Sequence, residues 1–336
     1  MERVNKNKIV LTTLILSIIL FIVFIIAVVV GKYAISIDVF LDVVFNPNTT
    51  HQVERSVILN LRLPRTIMAL LVGIALSISG LIYQDIFQNK LVSPDFLGVS
   101  SGASVGACLA ILLGLGGVWI CSFSFTFGVV AMLLTLLVSR IFRNTSPTIL
   151  LLSGIVISGL MDSAIGLIKY MADSDNQLGE ITYWLLGTFS KVTMNEVYIM
   201  LPIVALSIAI LFLIRWRINI ISLGKEEAVS RGINYNFYII VIIFFVTLLT
   251  ACSVSFCGII GWVGLVIPHI VRLIIGRNSK KTIPLTIFVG AIFMILCDII
   301  SRSFTFSEIP LSVVTGFVGT PIFVYTLFLR RNKIDE

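Results

Sequence analysis

The chain has 336 residues and a formal net charge of +7, with 58% hydrophobic and 12% charged residues. Its mean hydropathy is +1.08. Soluble globular domains carry about 25% charged residues, so this composition excludes a soluble domain and indicates a polytopic membrane protein. The positive charge requires no nucleic-acid partner, because Lys and Arg residues of membrane proteins collect in cytoplasmic loops.

The first apolar run covers residues 9–30 and follows Arg3, Lys6 and Lys8, as a signal peptide would. It is about twice as long as the apolar region of a signal peptide, and no small-x-small cleavage site follows it. We therefore expect a retained first membrane span.

Further apolar runs approach the roughly 20 residues that one crossing needs. They cover residues 66–83, 96–113, 118–138, 148–168, 197–214, 237–256, 259–275, 283–300 and 311–329. The predicted fold class is all-α, with about ten transmembrane helices and both termini on one side of the membrane. The run at 259–275 is the least regular, because it is short and interrupted by glycines.

Lys and Arg residues concentrate on the side that holds the N-terminus, which the positive-inside rule places in the cytoplasm. We expect one transmembrane domain over residues 1–336 in the bacterial plasma membrane. Its cytoplasmic segments would be residues 1–8, 215–236 and 330–336. The sequence contains no GxxxxGK[ST] phosphate-binding motif, so any ATP would bind to another subunit.

The sequence does not predict a metal or cofactor site. The five cysteines lie in or beside apolar runs without a CxxC pair, and we interpret them as small apolar fillers. The two histidines, His51 and His269, stand far apart and have no second ligand at a useful spacing. We expect this chain to bind no cofactor.

Glycines recur every four residues at the start of the third span, at Gly98, Gly102 and Gly106. That spacing puts them on one helix face, where missing side chains let another backbone approach closely. The face serves either helix packing or the lining of a pathway, and both interpretations require a buried helix.

A helical pattern of small residues occurs in the loop at residues 215–236. Leu223, Gly224, Ala228 and Gly232 recur there, with charged residues such as Glu227 between them. A short amphipathic helix with a small-residue face would fit into a cleft of a partner protein. The alternative is an ordinary solvated connector.

Three arginines stay on the predicted outer side, against the topological bias. Arg62 and Arg65 open the second span, and Arg302 follows Asp298 by four residues. The i, i+4 spacing lets Asp298 hold or neutralise Arg302 on one helix face. The arginines either bind an external partner or snorkel at the membrane interface.

Asp162 lies roughly 20 Å along the fifth span at 1.5 Å per residue, and an ionisable group at that depth is a functional candidate. We favour an interhelical hydrogen bond or the wall of a wet cavity, with proton coupling as the alternative. His269 follows Pro268 and has no evident partner for acid-base work. We expect it to cap a helix irregularity, and catalysis around His269 is the remaining alternative.

Residues 258–272 read GIIGWVGLVIPHIVR and contain Gly261, Gly264 and Pro268. Glycine and proline breaks at membrane depth survive only where protein or water covers them. The stretch resembles the Gly-aromatic-Val-Gly-Leu-(apolar)2-Pro-His signature of the FecCD family of ABC importer permeases. Further segments resemble the family in the same order along the chain: LRLPRT, residues 80–106, residues 224–232 and EIPLSVVTGFVGTPIFV.

The resemblance implies the fold of a type II ABC importer permease and assigns roles to residues. Arg62, Arg65 and Arg302 would receive glutamates of an external binding protein. The turn with Asn89 and Leu91 would form one cytoplasmic gate. The remaining assignments are Pro147 and Thr148 to a second gate, Leu223, Gly224, Glu227, Ala228 and Gly232 to ATPase coupling, and Gly98, Gly102, Gly106, Asp162, Gly261, Gly264 and Pro268 to the pathway or its packing.

The resemblance also implies partners and a cargo class. A second permease subunit, identical or related, would complete the path. Two cytoplasmic ATPases would bind ATP and Mg²⁺, and an external binding protein would deliver the cargo. A ferric siderophore is the commonest cargo of the family, and haem, cobalamin and molybdate are alternatives. A proton-coupled secondary transporter that uses Asp162 is the competing class of function.

Overall fold

The fold is described from a computed structural model over residues 6–46, 50–142, 147–276, 279–305 and 307–331. Within these ranges the chain is helical and contains no strand, so the all-α prediction is confirmed. In chain order the α-helices are α1 (Lys6–Val29), α2 (Ile37–Phe45), α3 (Gln52–Ser56), α4 (Leu63–Ile86), α5 (Val99–Leu112), α6 (Gly117–Ile141), α7 (Pro147–Met171), α8 (Gln177–Leu185), α9 (Met194–Leu213), α10 (Arg215–Ile221), α11 (Lys225–Ser230), α12 (Tyr235–Cys257), α13 (Val263–Ile275), α14 (Ser279–Ser303) and α15 (Leu311–Arg331).

Among the described residues, 8 helices are long and apolar enough to cross a membrane, and α5 and α13 are shorter apolar helices. Together they account for the ten crossings that the hydropathy pattern predicts. Successive crossings alternate in direction, so the loops collect at two ends of the bundle. We call the end with Arg62, Arg65 and Arg302 the arginine end, and the end with the turn at residues 88–93 the turn end.

Helix α4 runs through the centre of the bundle and packs against α12, α13 and α14. Small residues make this possible, because they let neighbouring backbones approach closely. A Cβ atom added to Gly80 would overlap the backbone of Gly264 in α13, and one added to Gly73 would overlap the backbone of Gly290 in α14. These two close contacts fix how near α13 and α14 lie to α4.

The peripheral helices carry large apolar side chains on their outer faces. Phe21 of α1 is 68% exposed and Leu213 of α9 is 76% exposed. Lipid tails are as apolar as these side chains, so such faces suit contact with a bilayer. The central position of α4 and the apolar periphery are what we expect for a polytopic membrane bundle.

The glycine-broken span at 259–275 is only partly helical. Helix α12 ends at Cys257, an irregular segment follows over residues 258–262, and α13 then continues through Pro268. The break therefore lies before the helix, and Pro268 does not interrupt it. Trp262 adopts φ +71°, a conformation that costs a non-glycine residue of order 1–3 kcal/mol and needs support from its surroundings. The indole lies against Gly316 and Gly319 of α15.

The third span also begins later than its hydropathy suggests. Residues Pro94–Leu97 form a 3-10 turn, and Gly98 has φ +75° just before α5. The prediction that Gly98 shares a helix face with Gly102 and Gly106 is therefore wrong, because its left-handed conformation turns the chain into the helix. Gly98 instead packs against Ile157 of α7. Gly102 and Gly106 do pack on the backbone of α6, as the packing interpretation of their spacing requires.

The α4–α13 crossing generates a stability prediction. Gly80→Val adds atoms where even a Cβ would overlap the backbone of Gly264, and overpacking of this kind costs roughly 1–3 kcal/mol or more. We expect a lower unfolding temperature of the detergent-purified protein, measured by thermal aggregation and chromatography. Gly166→Val is the matched control, since no atom lies within 4 Å of a Cβ there. Equal stability of the two variants would contradict the close crossing.

Candidate functional site

A buried ion-pair network joins α4 to α14 at the arginine end. The Arg65 guanidinium donates to Asp298 Oδ1 and to Glu308 Oε1, each at 2.7 Å. Arg302 Nε lies 3.4 Å from Asp298 Oδ2, which confirms the i, i+4 pair predicted from the sequence. Asp298 is fully buried, and a buried carboxylate is tolerated only when cations and donors compensate it.

Two arginines of this end also cap α1. The last carbonyl groups of a helix have no partner within the helix. Arg62 donates to the carbonyl groups of Val28, Val29 and Tyr33, and Arg302 donates to the carbonyl of Ala27. Positive charge at a helix C-terminus also interacts favourably with the helix dipole. The first crossing is therefore fastened to α4 and α14 by guanidinium groups.

These contacts bear on the role predicted for the outer arginines. The side chains of Arg65 and Arg302 are only 9% and 7% exposed, so the snorkelling interpretation is wrong for them. In this chain alone their guanidinium groups bind internal acceptors. Docking of an external protein stays a prediction, and it would require the arginines to exchange or share these acceptors. The π-helical segment Val57–Arg62 leads directly into α4 and positions Arg62 for its contacts.

The loop at 215–236 contains two short helices, α10 and α11, at the turn end. Ala228 is fully buried against the bundle, so the predicted small-residue docking face is wrong for this residue. Gly224 and Gly232 have positive φ values of 116° and 73° and let the backbone turn at both ends of α11. The exposed apolar groups here are Leu223 at 58% and Val229 at 56%. Glu227 pairs with Arg231 on the same helix face.

The turn that would form the first gate lies beside this loop. Asn89 Oδ1 accepts the backbone N–H of Leu91 at 2.9 Å, and the Leu91 side chain is 59% exposed. Gln88, at φ +51°, donates to the carbonyl of Ser222 at 3.2 Å. The turn and the loop are therefore in direct contact. Pro147 and Thr148, the predicted second gate, are the first residues of α7 at the same end.

A polar cluster that the sequence interpretation missed stabilises this end of α4. Pro268 has no N–H, so the carbonyl of Gly264 loses its helical donor. Gln84 of α4 donates to this carbonyl at 3.3 Å and to the carbonyl of Val92 at 3.2 Å. Arg272 donates to the side chains of Gln84 and Asp85. The sequence signal was a glutamine inside an apolar span, four residues before the gate turn.

His269 has a structural setting. It is buried, its Nδ1 lies 2.8 Å from the carbonyl of Leu265, and its ring meets Phe323 edge to face. The ring thus contacts a carbonyl of its own helix, but neither the break at residues 258–262 nor the Gly264 carbonyl that Pro268 leaves free, so the predicted capping role is wrong. Gly264 packs against α4, whereas no neighbouring atom lies within 4 Å of a Cβ at Gly261. Gly261 therefore makes no close packing contact with the described residues, and its assignment to the pathway stays a prediction.

Asp162 lies on the exposed side of α7. It forms no interhelical hydrogen bond with the residues that the structure describes, so that part of the prediction is wrong for the chain alone. The alternative, that Asp162 lines a water-filled cavity, stays a prediction. Three groups of predicted residues are thus separated in space: the arginines at one end, the loop and gate residues at the other, and Asp162 between them on the periphery.

Comparison with known proteins decides the family. The model of the FecCD transport family matches residues 19–329. The chain belongs to the FecCD transport family. It is therefore a membrane permease subunit of an ABC importer, and the ATPase is a separate subunit.

Individual relatives and structures agree with this membership. The molybdate import system permease protein MolB of Haemophilus influenzae is 35% identical over 96% of both chains. An iron chelatin transport system permease of Helicobacter pylori strain 26695 is 38% identical over 82% of this chain and 83% of its own. A solved structure described as a metal-chelate type ABC transporter, in an inward-facing conformation, has a TM-score of 0.86. It is 33% identical and covers 94% of this chain and 98% of its own.

The network at the arginine end predicts a large effect of Asp298→Asn. Removing the buried negative charge leaves Arg302 without its carboxylate partner and leaves Arg65 with Glu308 alone, and breaking a buried pair costs roughly 3–5 kcal/mol. We expect a marked loss of thermal stability in detergent. Glu180→Gln is the control, because its pair with Lys191 is largely exposed and surface pairs contribute roughly 0–1 kcal/mol. Similar melting of the two variants would contradict the network.

The polar cluster at the turn end predicts that Gln84→Leu destabilises the protein although the side chains are similar in size. The carbonyl groups of Gly264 and Val92 lose a donor in a buried place, which costs roughly 1–3 kcal/mol for each unsatisfied group. Gln177→Leu removes one part-buried hydrogen bond, to the carbonyl of Leu112, and one exposed hydrogen bond from the N–H of Asp173, and serves as the control. Proteolysis of the turn at 88–93 should increase in Gln84→Leu; unchanged proteolysis and stability would refute the role of Gln84.

Proposed function

We propose that this chain translocates a metal chelate, of the ferric siderophore class, as one half of a permease pair. The observation that carries the proposal is the family membership over residues 19–329. The relative described as an iron chelatin permease and the metal-chelate type transporter structure support the cargo class. Molybdate is a second candidate, because the MolB relative matches 96% of the chain; haem and cobalamin remain the alternatives implied by the resemblance.

In this proposal two ATPase subunits, which bind ATP and Mg²⁺, dock at the turn end. Leu223 and Val229 would fill their cleft, and the Gln88–Ser222 contact would pass movement of the loop at 215–236 to the turn at 88–93. The binding protein would dock at the arginine end, outside the cell, with both termini of the permease in the cytoplasm. Nucleotide binding would shift the pair between two states through its different affinity for each.

Uptake into proteoliposomes tests this function. The permease is reconstituted with its ATPase and binding protein, and radiolabelled ferric siderophore or molybdate is supplied outside with ATP inside. We expect ATP-dependent uptake of the ferric chelate that survives collapse of the proton gradient by a protonophore. Uptake that requires the proton gradient and no ATP would refute the importer and favour a secondary transporter. ATP-dependent uptake of molybdate and not of the ferric chelate would identify molybdate as the cargo.

The docking surface is tested by substitution of its exposed apolar groups. Val229→Asp places a charge where an apolar contact is proposed, and truncation of a central contact costs about 2 kcal/mol or more. We expect at least a tenfold weaker association with the ATPase subunit in a pull-down. Leu113→Asp is the matched control, because Leu113 is 60% exposed but lies at the opposite end. Equal retention of the ATPase by both variants would contradict docking at this surface.

A further inference from the structure

Asp162 is exposed in the interior of a crossing helix, unlike the charged groups of the central helices. Arg65 pairs with Asp298, and Arg272 pairs with Asp85. Asp162 has no such partner among the described residues and lies on the exposed side of α7. Its position along the helix is roughly 13 Å from Met171 and roughly 22 Å from Pro147, at 1.5 Å per residue. Both distances place it within the apolar thickness of a bilayer.

Lipid cannot be the environment of this carboxylate. An aspartate that faces hydrocarbon at the middle of a helix costs several kcal/mol, so such residues face a bundle interior or a water-filled cavity. The described residues offer Asp162 no hydrogen bond or ion pair. The exposed arc of α7 around Asp162 must therefore border water or a second subunit.

The residues beside Asp162 favour water. Gly159 and Gly166 lie one turn before and one turn after it on the same helix face, and no atom lies within 4 Å of a Cβ at either glycine. Ser163, exposed at the next position, adds a second polar group. The carboxylate is thus bordered on one side by two positions without side chains, which leave room there for water and cargo.

We propose that Asp162 faces the aqueous translocation path and makes that path selective against anionic cargo. A fixed negative charge in a passage with apolar walls repels anions and attracts cations. Asp162 would therefore favour a neutral or cationic metal chelate over an oxyanion such as molybdate or a polyanionic chelate. The inference rests on the proposed transport function and narrows its substrate class.

The test measures the local potential without requiring transport. The full importer in membranes carries Gly159→Cys together with Cys121→Ala, because Cys121 is partly exposed and the other four cysteines are buried. Cationic and anionic water-soluble methanethiosulfonates are applied with and without ATP, and their labelling rates are compared with Asp162 intact and with Asp162→Asn. Leu160→Cys, exposed on a different side of α7, is the matched control.

We expect Gly159→Cys to react in at least one nucleotide state and Leu160→Cys to stay unreactive. Asp162→Asn should lower the cation-to-anion ratio of rates at Gly159→Cys about threefold or more, as a unit charge within one helical turn implies. Failure of Gly159→Cys to react in both states would show that lipid or protein covers this face and would overturn the proposal. A ratio that does not change with Asp162→Asn would also overturn it.

An uptake assay then distinguishes failure of this inference from failure of the proposed transport function. Asp162→Asn should raise the uptake of an anionic cargo relative to a neutral one about threefold or more. Absence of any ATP-driven uptake in the unsubstituted importer would refute the transport function, while the labelling ratio would still report on the path. Unchanged discrimination in an importer that transports would refute the selectivity of Asp162 alone.

Discussion

The structure depends on one constraint: polar groups inside the bundle have no water to bind and must find partners within the protein. Helix α4 meets this constraint at both of its ends. Arg65 pairs with Asp298 and Glu308 at the arginine end, and Gln84 binds the free carbonyl of Gly264 at the turn end. Between these clusters the glycines of α4 let α13 and α14 approach closely. Helix α4 is thereby held by polar contacts at both of its ends.

The same constraint distinguishes the segments of the bundle that can move from those that are held in place. The polar contacts at the two ends hold α4, whereas the turn at residues 88–93 and the loop at 222–232 meet through the exposed Gln88–Ser222 hydrogen bond. An exposed hydrogen bond contributes roughly 0.5–1.5 kcal/mol net, so it can break and re-form between states at little cost. Movement is therefore easiest to accommodate at the turn end, where the ATPase is proposed to bind.

The sequence predicted some site residues correctly and misplaced others, for identifiable reasons. Gly102 and Gly106 pack on α6 as their spacing indicates, because i, i+4 positions share a helix face. Gly98 fails because Pro94 starts a 3-10 turn, which a purely apolar span pattern does not reveal. Ala228 fits the helical pattern of the loop, but periodicity alone does not say which face of a short helix meets its own bundle. The structure turns Ala228 inward and leaves Val229 exposed.

The sequence by itself determined the membrane class, the ten crossings and the family, because hydropathy, length and short motifs are local properties of the chain. It also identified Asp162 and the arginines as unusual, since charge in an apolar span is visible without coordinates. Only the tertiary structure decided which charges are paired: Arg65 meets Asp298 across 233 positions of sequence, and Asp162 forms no hydrogen bond or ion pair with the described part of the chain. Pairing depends on which helix faces come together, and that is settled by packing of the whole bundle rather than by any one segment.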